Sequence, residues 1–235
     1  MTIKILCATP AYAGLVTTAF HSSFLQMTQW ARQNDVELLQ LMTSTSFVSR
    51  SRNLGAQMVV NDPTIDYLLN IDADMGWPVE ALPRLLNFNK DIVASTYPLR
   101  ALTDKPSFVG NLLRDQPITE GFIKACYVGG GFMLVKRSVL AFMAEKYADR
   151  AHVDHDFNPP LRVIDLFPSG FSPERKRVET DDVGFCYLAA ECGYDLWADM
   201  ALTLTHTGSV TFNKGSLISY LKDPAKGLEG QPDSR

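Results

Sequence analysis

Short apolar runs alternate with helix-periodic segments along the first hundred residues, and this alternation constrains the fold more than any other feature. Ile3 to Ala8, Val36 to Met42, the run that ends at Asp72, and Asp91 to Thr96 read as strands. Between them, Leu15 to Gln33 and Ser49 to Val60 read as helices, and Pro78 suits the first turn of another that runs through Leu86. The order βαβαβαβ predicts one α/β domain with a mainly parallel central sheet and helices on both faces. At 235 residues the chain is long enough for one such core.

Beyond Tyr97 the pattern loosens. Ala125 to Val135 reads as a strand interrupted by Gly129-Gly130-Gly131, followed by a helix from Ser138 to Tyr147. Arg150 to Thr180 is polar, carries prolines and has no clear period, so it reads as a long functional loop, a lid or the acceptor side of a site. Asp181 to Cys192 returns to helical spacing with Gly193 as its stop, and a strand around Leu196 to Thr205 closes the core. Residues 1–221 are expected to form the domain, and residues 222–235, rich in Pro, Gly and charge, a frayed tail.

Composition removes several classes of function. No segment approaches the roughly 18 consecutive apolar residues that a membrane span needs, so no transmembrane segment is expected. Met1 to Cys7 enters a strand pattern at once, without the pattern of an export signal, and a cytoplasmic location is the expectation. Cys7, Cys126, Cys186 and Cys192 are scattered, with no Cys-X-X-Cys pair, and read as reduced core thiols. With 22 Lys and Arg against 26 Asp and Glu, a net charge of −4 argues against nucleic acid as a partner.

The run Asp66-Tyr67-Leu68-Leu69-Asn70-Ile71-Asp72-Ala73-Asp74-Met75 ends in two carboxylates one residue apart. Ligands in open α/β sheets bind beyond the carboxyl ends of such strands. On a strand, residues i and i+2 point to the same face, so Asp72 and Asp74 are expected to converge on one hard cation, such as Mg²⁺ or Mn²⁺ on a diphosphate. An isolated Asp-X-Asp equally marks a solvated exit from a strand.

Seven short motifs in this order resemble the GT-A glycosyltransferases of the family 2 type, particularly small stand-alone enzymes of bacteria, phages and large DNA viruses. They are Thr9-Pro10-Ala11-Tyr12, Ser49-Arg50-Ser51-Arg52-Asn53, Asp72-Ala73-Asp74, Ser95-Thr96-Tyr97-Pro98-Leu99-Arg100, Val128 to Val135, Glu179 to Cys186, and Leu204-Thr205-His206-Thr207-Gly208. The resemblance spans nearly the whole chain and implies transfer of a sugar, with inversion, from a UDP- or GDP-linked donor to a hydroxyl acceptor on a glycan or glycoconjugate. It implies Mn²⁺ or Mg²⁺ as cofactor, with Asp74 as a direct ligand, His206 completing the shell, and Asp72 meeting the ribose or a metal-bound water.

The same resemblance places Pro10 and Tyr12 against the nucleotide base, Arg52 and Asn53 toward the nucleotide or its phosphates, and Ala73, Gly130 and Gly131 along the donor. Asp181-Asp182 stands where relatives show Glu-Asp, which makes Asp182 the expected general base and Asp181 its neighbour in an acceptor-orienting or structural role. Lys214 is expected to close over the diphosphate. Each has a plainer alternative: a strand terminator and half-buried ring for Pro10 and Tyr12, a solvated helix face for Arg52 and Asn53 as for Arg50, a bulge without ligand for the glycines, and an exposed lysine for Lys214. The cluster His152-Val153-Asp154-His155-Asp156 matches no metallohydrolase spacing and reads as a solvated or acceptor-lining loop.

Two other functions fit the same architecture. A sugar-1-phosphate nucleotidyltransferase would need a glycine-rich, basic loop after the first strand, which Ala8 to Gly14 lacks. A noncatalytic nucleotide-sugar-binding protein could share the fold, but the joint presence of Asp72, Asp74, Asp182 and His206 argues against it.

Overall fold

Strand β1 (Ile3–Pro10) pairs in parallel with β2 (Val36–Thr43) on one side and β3 (Tyr67–Ile71) on the other. The computed structural model describes residues 2–100, 108–173 and 175–208, with the backbone of Thr211–Phe212; Lys214 and the expected tail over 222–235 lie outside the described residues. Helix α1 (Thr18–Gln33) joins β1 to β2, and α2 (Val48–Asn61) joins β2 to β3. The first helix begins three residues later than the sequence pattern suggests. Thr17 is extended and its hydroxyl accepts the Phe20 N–H at 3.2 Å, which caps the helix there.

After β3 come the two-residue strand β4 (Met75–Gly76), helix α3 (Ala81–Phe88) and β5 (Ile92–Ser95). Pro78 closes a turn rather than opening α3, because its carbonyl accepts the Ala81 N–H at 3.0 Å. Next are β6 (Gly110–Leu112), β7 (Phe122–Val128), β8 (Phe132–Lys136) and helix α4 (Arg137–Lys146). The expected strand over 125–135 is thus two strands that part at the glycines.

The chain then forms two hairpins, β9 (Ala151–Asp154) with β10 (Leu161–Ile164) and β11 (Gly170–Ser172) with β12 (Arg177–Glu179). They replace the structureless loop expected over 150–180. Strands of three or four residues, separated by prolines, are too short to leave a readable period. Helix α5 (Asp181–Glu191), β13 (Leu196–Asp199), β14 (Thr205–Thr207) and β15 (Thr211–Phe212) follow.

The central sheet has the order β2-β1-β3-β8-β5-β13-β7-β6, with β8 antiparallel to both β3 and β5 and β7 antiparallel to both β13 and β6. The remaining strands all run one way, which makes the sheet mainly parallel in direction. Its two faces carry separate cores. On one, Leu6, Ala8, Leu68 and Met133 meet Ala56 and Val59 of α2, Val139 and Met143 of α4, and Phe185 and Ala189 of α5. On the other, Ile5, Cys7, Leu69 and Phe132 meet Phe20 and Met27 of α1 and Leu82 and Leu85 of α3.

Full burial of each such Leu, Ile or Phe contributes about 1.5–3 kcal/mol, so the two cores rather than helix propensity hold the layers together. Cys7 and Cys186 are core thiols, as the sequence suggests, and burial pushes both up to about 12. Cys126 is instead exposed and Cys192 half-buried. Among the described residues no helix is long and apolar enough to cross a membrane.

A second, three-stranded sheet lies beside the end of β3. Strand β14 pairs antiparallel with both β15 and β4, which sets His206 opposite Met75. A residue near position 206 is thereby brought to the Asp-Ala-Asp segment.

Candidate active site

The strand expected to carry both carboxylates stops at Ile71, and Asp72 to Met75 form a turn closed by Met75 N–H on the Asp72 carbonyl at 3.1 Å. The turn is held on three sides. Asp72 N–H donates to the Gly131 carbonyl at 3.1 Å, the Ala73 carbonyl accepts Thr17 N–H at 2.9 Å, and the Asp74 carbonyl accepts Thr207 N–H at 2.8 Å. Because these residues are on a turn, the same-face rule for strands does not apply, and the carboxylates diverge. Asp72 takes a guanidinium nitrogen of Arg52 at 2.8 Å, while Asp74 turns to Arg100 at 2.8 Å and His206 Nε2 at 3.4 Å. Among the described residues, no group of three or more His, Cys, Asp or Glu is placed to hold a metal ion.

Around Asp74, His206 Nδ1 lies 3.0 Å from the Pro98 carbonyl. A carbonyl only accepts, so Nδ1 carries the hydrogen and Nε2 faces Asp74. The Tyr97 ring packs edge-on against the imidazole with centroids 5.3 Å apart and fixes its plane. Burial opposes ionisation of Asp74, but His206 and Arg100 together hold its carboxyl below the usual range.

Around Asp72, Arg52 is the organising residue. It is 3% exposed, on the inward face of α2, and bridges Asp72 to Asp181, whose Oδ2 lies 2.5 Å from Nη1. Burial disfavours the cation, yet Asp72, Asp181 and Asp182 outweigh it and raise the pKa of Arg52 above its ordinary value. For Asp181, burial raises the carboxyl pKa, Arg52 opposes the rise, and Asp182 and Asp72 add to it; the net effect is upward. Asp182 is used differently: Oδ2 accepts Gly130 N–H at 3.0 Å, and Oδ1 accepts the Thr180 hydroxyl at 2.5 Å and Val183 N–H at 2.9 Å. It braces the glycine segment against the start of α5.

The glycines are required by these side chains. A Cβ at Gly130 would sit 2.2 Å from Arg52 Nη1, and one at Gly131 would lie 2.8 Å from the Tyr97 ring, whose hydroxyl accepts Gly131 N–H at 3.1 Å. The groups that approach the glycine backbone closely are therefore Arg52 and Tyr97. Gly130 and Gly131 are buried beneath them rather than open along a wall.

Two clefts meet over this arrangement. One, of about 530 Å³, is lined by Pro10, Tyr12, Thr17, Asp72, Ala73, Asp74, Arg100 and His206. The other, of about 450 Å³, is lined by Arg52, Asp72, Tyr97, Phe108, Tyr127, Asp181, Asp182 and His206. Asp72, His206 and Val48 border both. Pro10 and the 70% exposed Tyr12 thus lie with Ala73 and Asp74 in the first cleft.

Asn53 does not join them. Its amide donates to Asp165 at 2.7 Å and its oxygen accepts Leu166 and Phe167 N–H at 2.9 and 2.7 Å, so it ties α2 to the segment after β10 instead of facing the donor cleft. Arg50 pairs with Asp154 at 2.8 Å and Asp156 at 2.6 Å, which accounts for part of the His152–Asp156 cluster as a clamp between α2 and the β9–β10 hairpin. Arg100, Tyr97, Tyr127 and Thr17 line the clefts without having been assigned a role from sequence. For Tyr97 and Arg100 the signal was present, since both stand in the Ser95–Arg100 motif.

The sheet order, the Asp-Ala-Asp turn at the end of β3 and the helices on both faces define a GT-A-like fold. No protein-family model and no curated sequence matches the chain. Among solved structures it is similar to A197 from STIV, with 18% identity over 88% of this chain and 86% of that one and a TM-score of 0.52. It is also similar to GalNAc-T7 solved with UDP, GalNAc and Mn²⁺, at 10% identity over 88% of this chain and 44% of that one, TM-score 0.43. A nucleoside-diphosphate-sugar pyrophosphorylase from Vibrio cholerae shares 11% identity over 83% of this chain and 91% of its own, TM-score 0.41. The likeness to A197 speaks to the fold alone, and the chemistry has to be argued from the site.

Proposed function

We propose that this chain is an inverting glycosyltransferase that moves a sugar from a UDP- or GDP-linked donor to a hydroxyl of a glycan or glycoconjugate, with Mn²⁺ or Mg²⁺ as cofactor. The observation that carries this reading is the meeting of two clefts at Asp72 and His206, with Asp74 on one side and the Asp181-Asp182 pair on the other. A donor needs a site for its nucleotide and diphosphate, an acceptor needs a base, and the two must adjoin at the anomeric carbon. In this reading the first cleft takes the nucleotide, with Tyr12 and Pro10 against the base and Asp72 toward the ribose.

The donor set supports a divalent cation at Asp74 and His206. An imidazole nitrogen and a carboxylate oxygen 3.4 Å apart face one another, and hard divalent ions in phosphate-handling sites use one or two protein ligands plus phosphate oxygens and water. Bound there, the ion would neutralise charge that develops on the leaving diphosphate. Asp72 is left to Arg52, which keeps its carboxylate oriented without a metal.

On the other side, we assign the base to Asp181 in preference to Asp182. Support comes from the burial that raises the proton affinity of Asp181, and from the three donors that already occupy Asp182 as a brace. Arg52 fixes one Asp181 oxygen, so the carboxylate is oriented as it removes the proton from the acceptor hydroxyl that attacks from the face opposite the diphosphate. Tyr97, Phe108 and Tyr127 give the acceptor cleft apolar ring surface.

The test is incubation of UDP- and GDP-sugars with the protein and no acceptor. Slow release of nucleoside diphosphate that requires Mn²⁺ or Mg²⁺ is expected. A thermal-shift screen of the same donors identifies which one binds, since a ligand at 100 times its dissociation constant stabilises the fold by about 2.7 kcal/mol. Absence of both release and stabilisation across the donors would overturn the proposal.

A further inference from the structure

The Arg100 guanidinium is bonded to the same Asp74 oxygen that faces His206 Nε2, at 2.8 Å against 3.4 Å. From this geometry we propose that Arg100 is an internal cation that occupies Asp74 in the free protein, is displaced by the divalent ion, and then transfers to the diphosphate of the bound nucleotide. The proposal rests on the cation site argued above. A guanidinium and a divalent cation repel one another at one carboxylate oxygen, so binding of the ion weakens the Arg100 contact and favours its departure.

Where Arg100 goes is set by its surroundings. It lines the same cleft as Tyr12, Thr17 and Asp74, the cleft assigned to the nucleotide. Its side chain is half exposed, and among the described residues its ion pair is with Asp74 alone, so its head is accessible from the cleft. A planar guanidinium matches two phosphate oxygens as well as it matches a carboxylate. Metal and nucleoside diphosphate therefore aid one another: the ion frees Arg100, and the phosphates receive it. Such coupling is reciprocal, so each ligand tightens the other by the same factor.

Exposure limits the size of the effect. A surface ion pair is worth about 0.2–1 kcal/mol, so loss of the Arg100 contact should tighten binding of Mn²⁺ alone by about 1.4- to fivefold. The measurement is titration of MnCl₂ into the full chain without nucleotide, with free Mn²⁺ counted by its electron paramagnetic resonance signal. Arg100→Gln should bind Mn²⁺ about 1.4- to fivefold more tightly than the parent, and Arg100→Lys, which retains a charge, should stay close to it. Uridine or guanosine diphosphate should then tighten Mn²⁺ binding in the parent by a larger factor than in Arg100→Gln.

Equal or weaker Mn²⁺ binding by Arg100→Gln would overturn the exchange. Asp74→Asn, titrated alongside, separates this from failure of the cation site itself. If Asp74→Asn binds Mn²⁺ as well as the parent does, the site is wrong. If it loses Mn²⁺ while Arg100→Gln is unchanged, only the exchange is wrong. No Mn²⁺ binding by any of the proteins, with or without the diphosphate, overturns both.

Discussion

Replacing Arg52 with Met keeps an aliphatic stem of similar length but removes the cation between Asp72 and Asp181. Arg52 is 3% exposed, and the side chains of Asp181 and Asp72 are 13% and 25% exposed, so all three charges are at least three-quarters withdrawn from water. Removal of one partner from a buried ion pair costs about 3–5 kcal/mol. Asp72 can recover some hydration at its edge of the cleft, which favours the lower end, about 3 kcal/mol. For a chain of this size that lowers the melting temperature by about 6–12 °C.

The deficit should also depend on pH, in a fixed direction. Asp181 already has a raised pKa in the fold, and loss of Arg52 removes the largest contribution that opposes the rise. A carboxyl whose folded pKa exceeds its unfolded value of about 4 leaves stability intact below that value and lowers it as pH rises through the folded pKa. The penalty of Arg52→Met should therefore be largest near pH 8 and shrink toward pH 5. Urea unfolding followed by the fluorescence of the three tryptophans measures it at both pH values. A deficit below about 1 kcal/mol at pH 8, or one equal at the two pH values, would refute a buried triad held together by Arg52.

Asp181→Asn should lower turnover by about 10² to 10⁴-fold with donor affinity nearly unchanged, whereas Asp182→Asn should lower it less; steady-state kinetics with the identified donor decide, and the opposite ranking returns the base to Asp182. The acid limb of kcat/KM for the parent should lie above the ordinary aspartate value near 3.9, because the base must be ionised and burial raises its pKa; a limb at or below that value counts against Asp181. Asp74→Asn should abolish the Mn²⁺ dependence of nucleoside diphosphate affinity while the fold survives, as read by titration calorimetry and circular dichroism. Gly130→Ala should displace the Arg52 guanidinium and destabilise by about 1–3 kcal/mol, as overpacking does, and an unchanged urea midpoint would show that the contact relaxes freely.

The layers of the fold were legible because their cores are simple. Leu6 and Ile5 point to opposite faces of one strand, and the helices that cover them repeat apolar residues at helical spacing. The insertion of β8 between β3 and β5 was not legible, since Phe132 to Val135 would be buried on both faces in any central position. At the site, sequence brought Asp74, His206, Tyr12 and Asp181 toward one region, but it could not tell that β3 stops at Ile71, one residue before the carboxylates. That single residue decides whether Asp72 and Asp74 converge or part. Asn53 was misplaced for a similar reason: it follows Arg52 by one position, about 100° around the helix, and so faces the Asp165 segment instead of the cleft.

The pairing of β14 with β4 gives the site a stability of its own. Among the described residues, the pairs Thr205 with Gly76 and His206 with Met75, reinforced by the Thr207 N–H on the Asp74 carbonyl, dock β14 to the turn, while the Pro98 carbonyl and the Tyr97 ring hold the imidazole. The eight-stranded sheet does not depend on these few bonds, so this edge can open at a free energy well below that of global unfolding. Each opening would carry His206 away from Asp74 while both cores stay intact. At the proposed cation site, affinity would then follow the closed fraction of this small sheet, and a substitution that loosens β14 would weaken binding there without moving the melting temperature. Amide exchange at Thr207, measured with and without Mn²⁺, would register that closure directly.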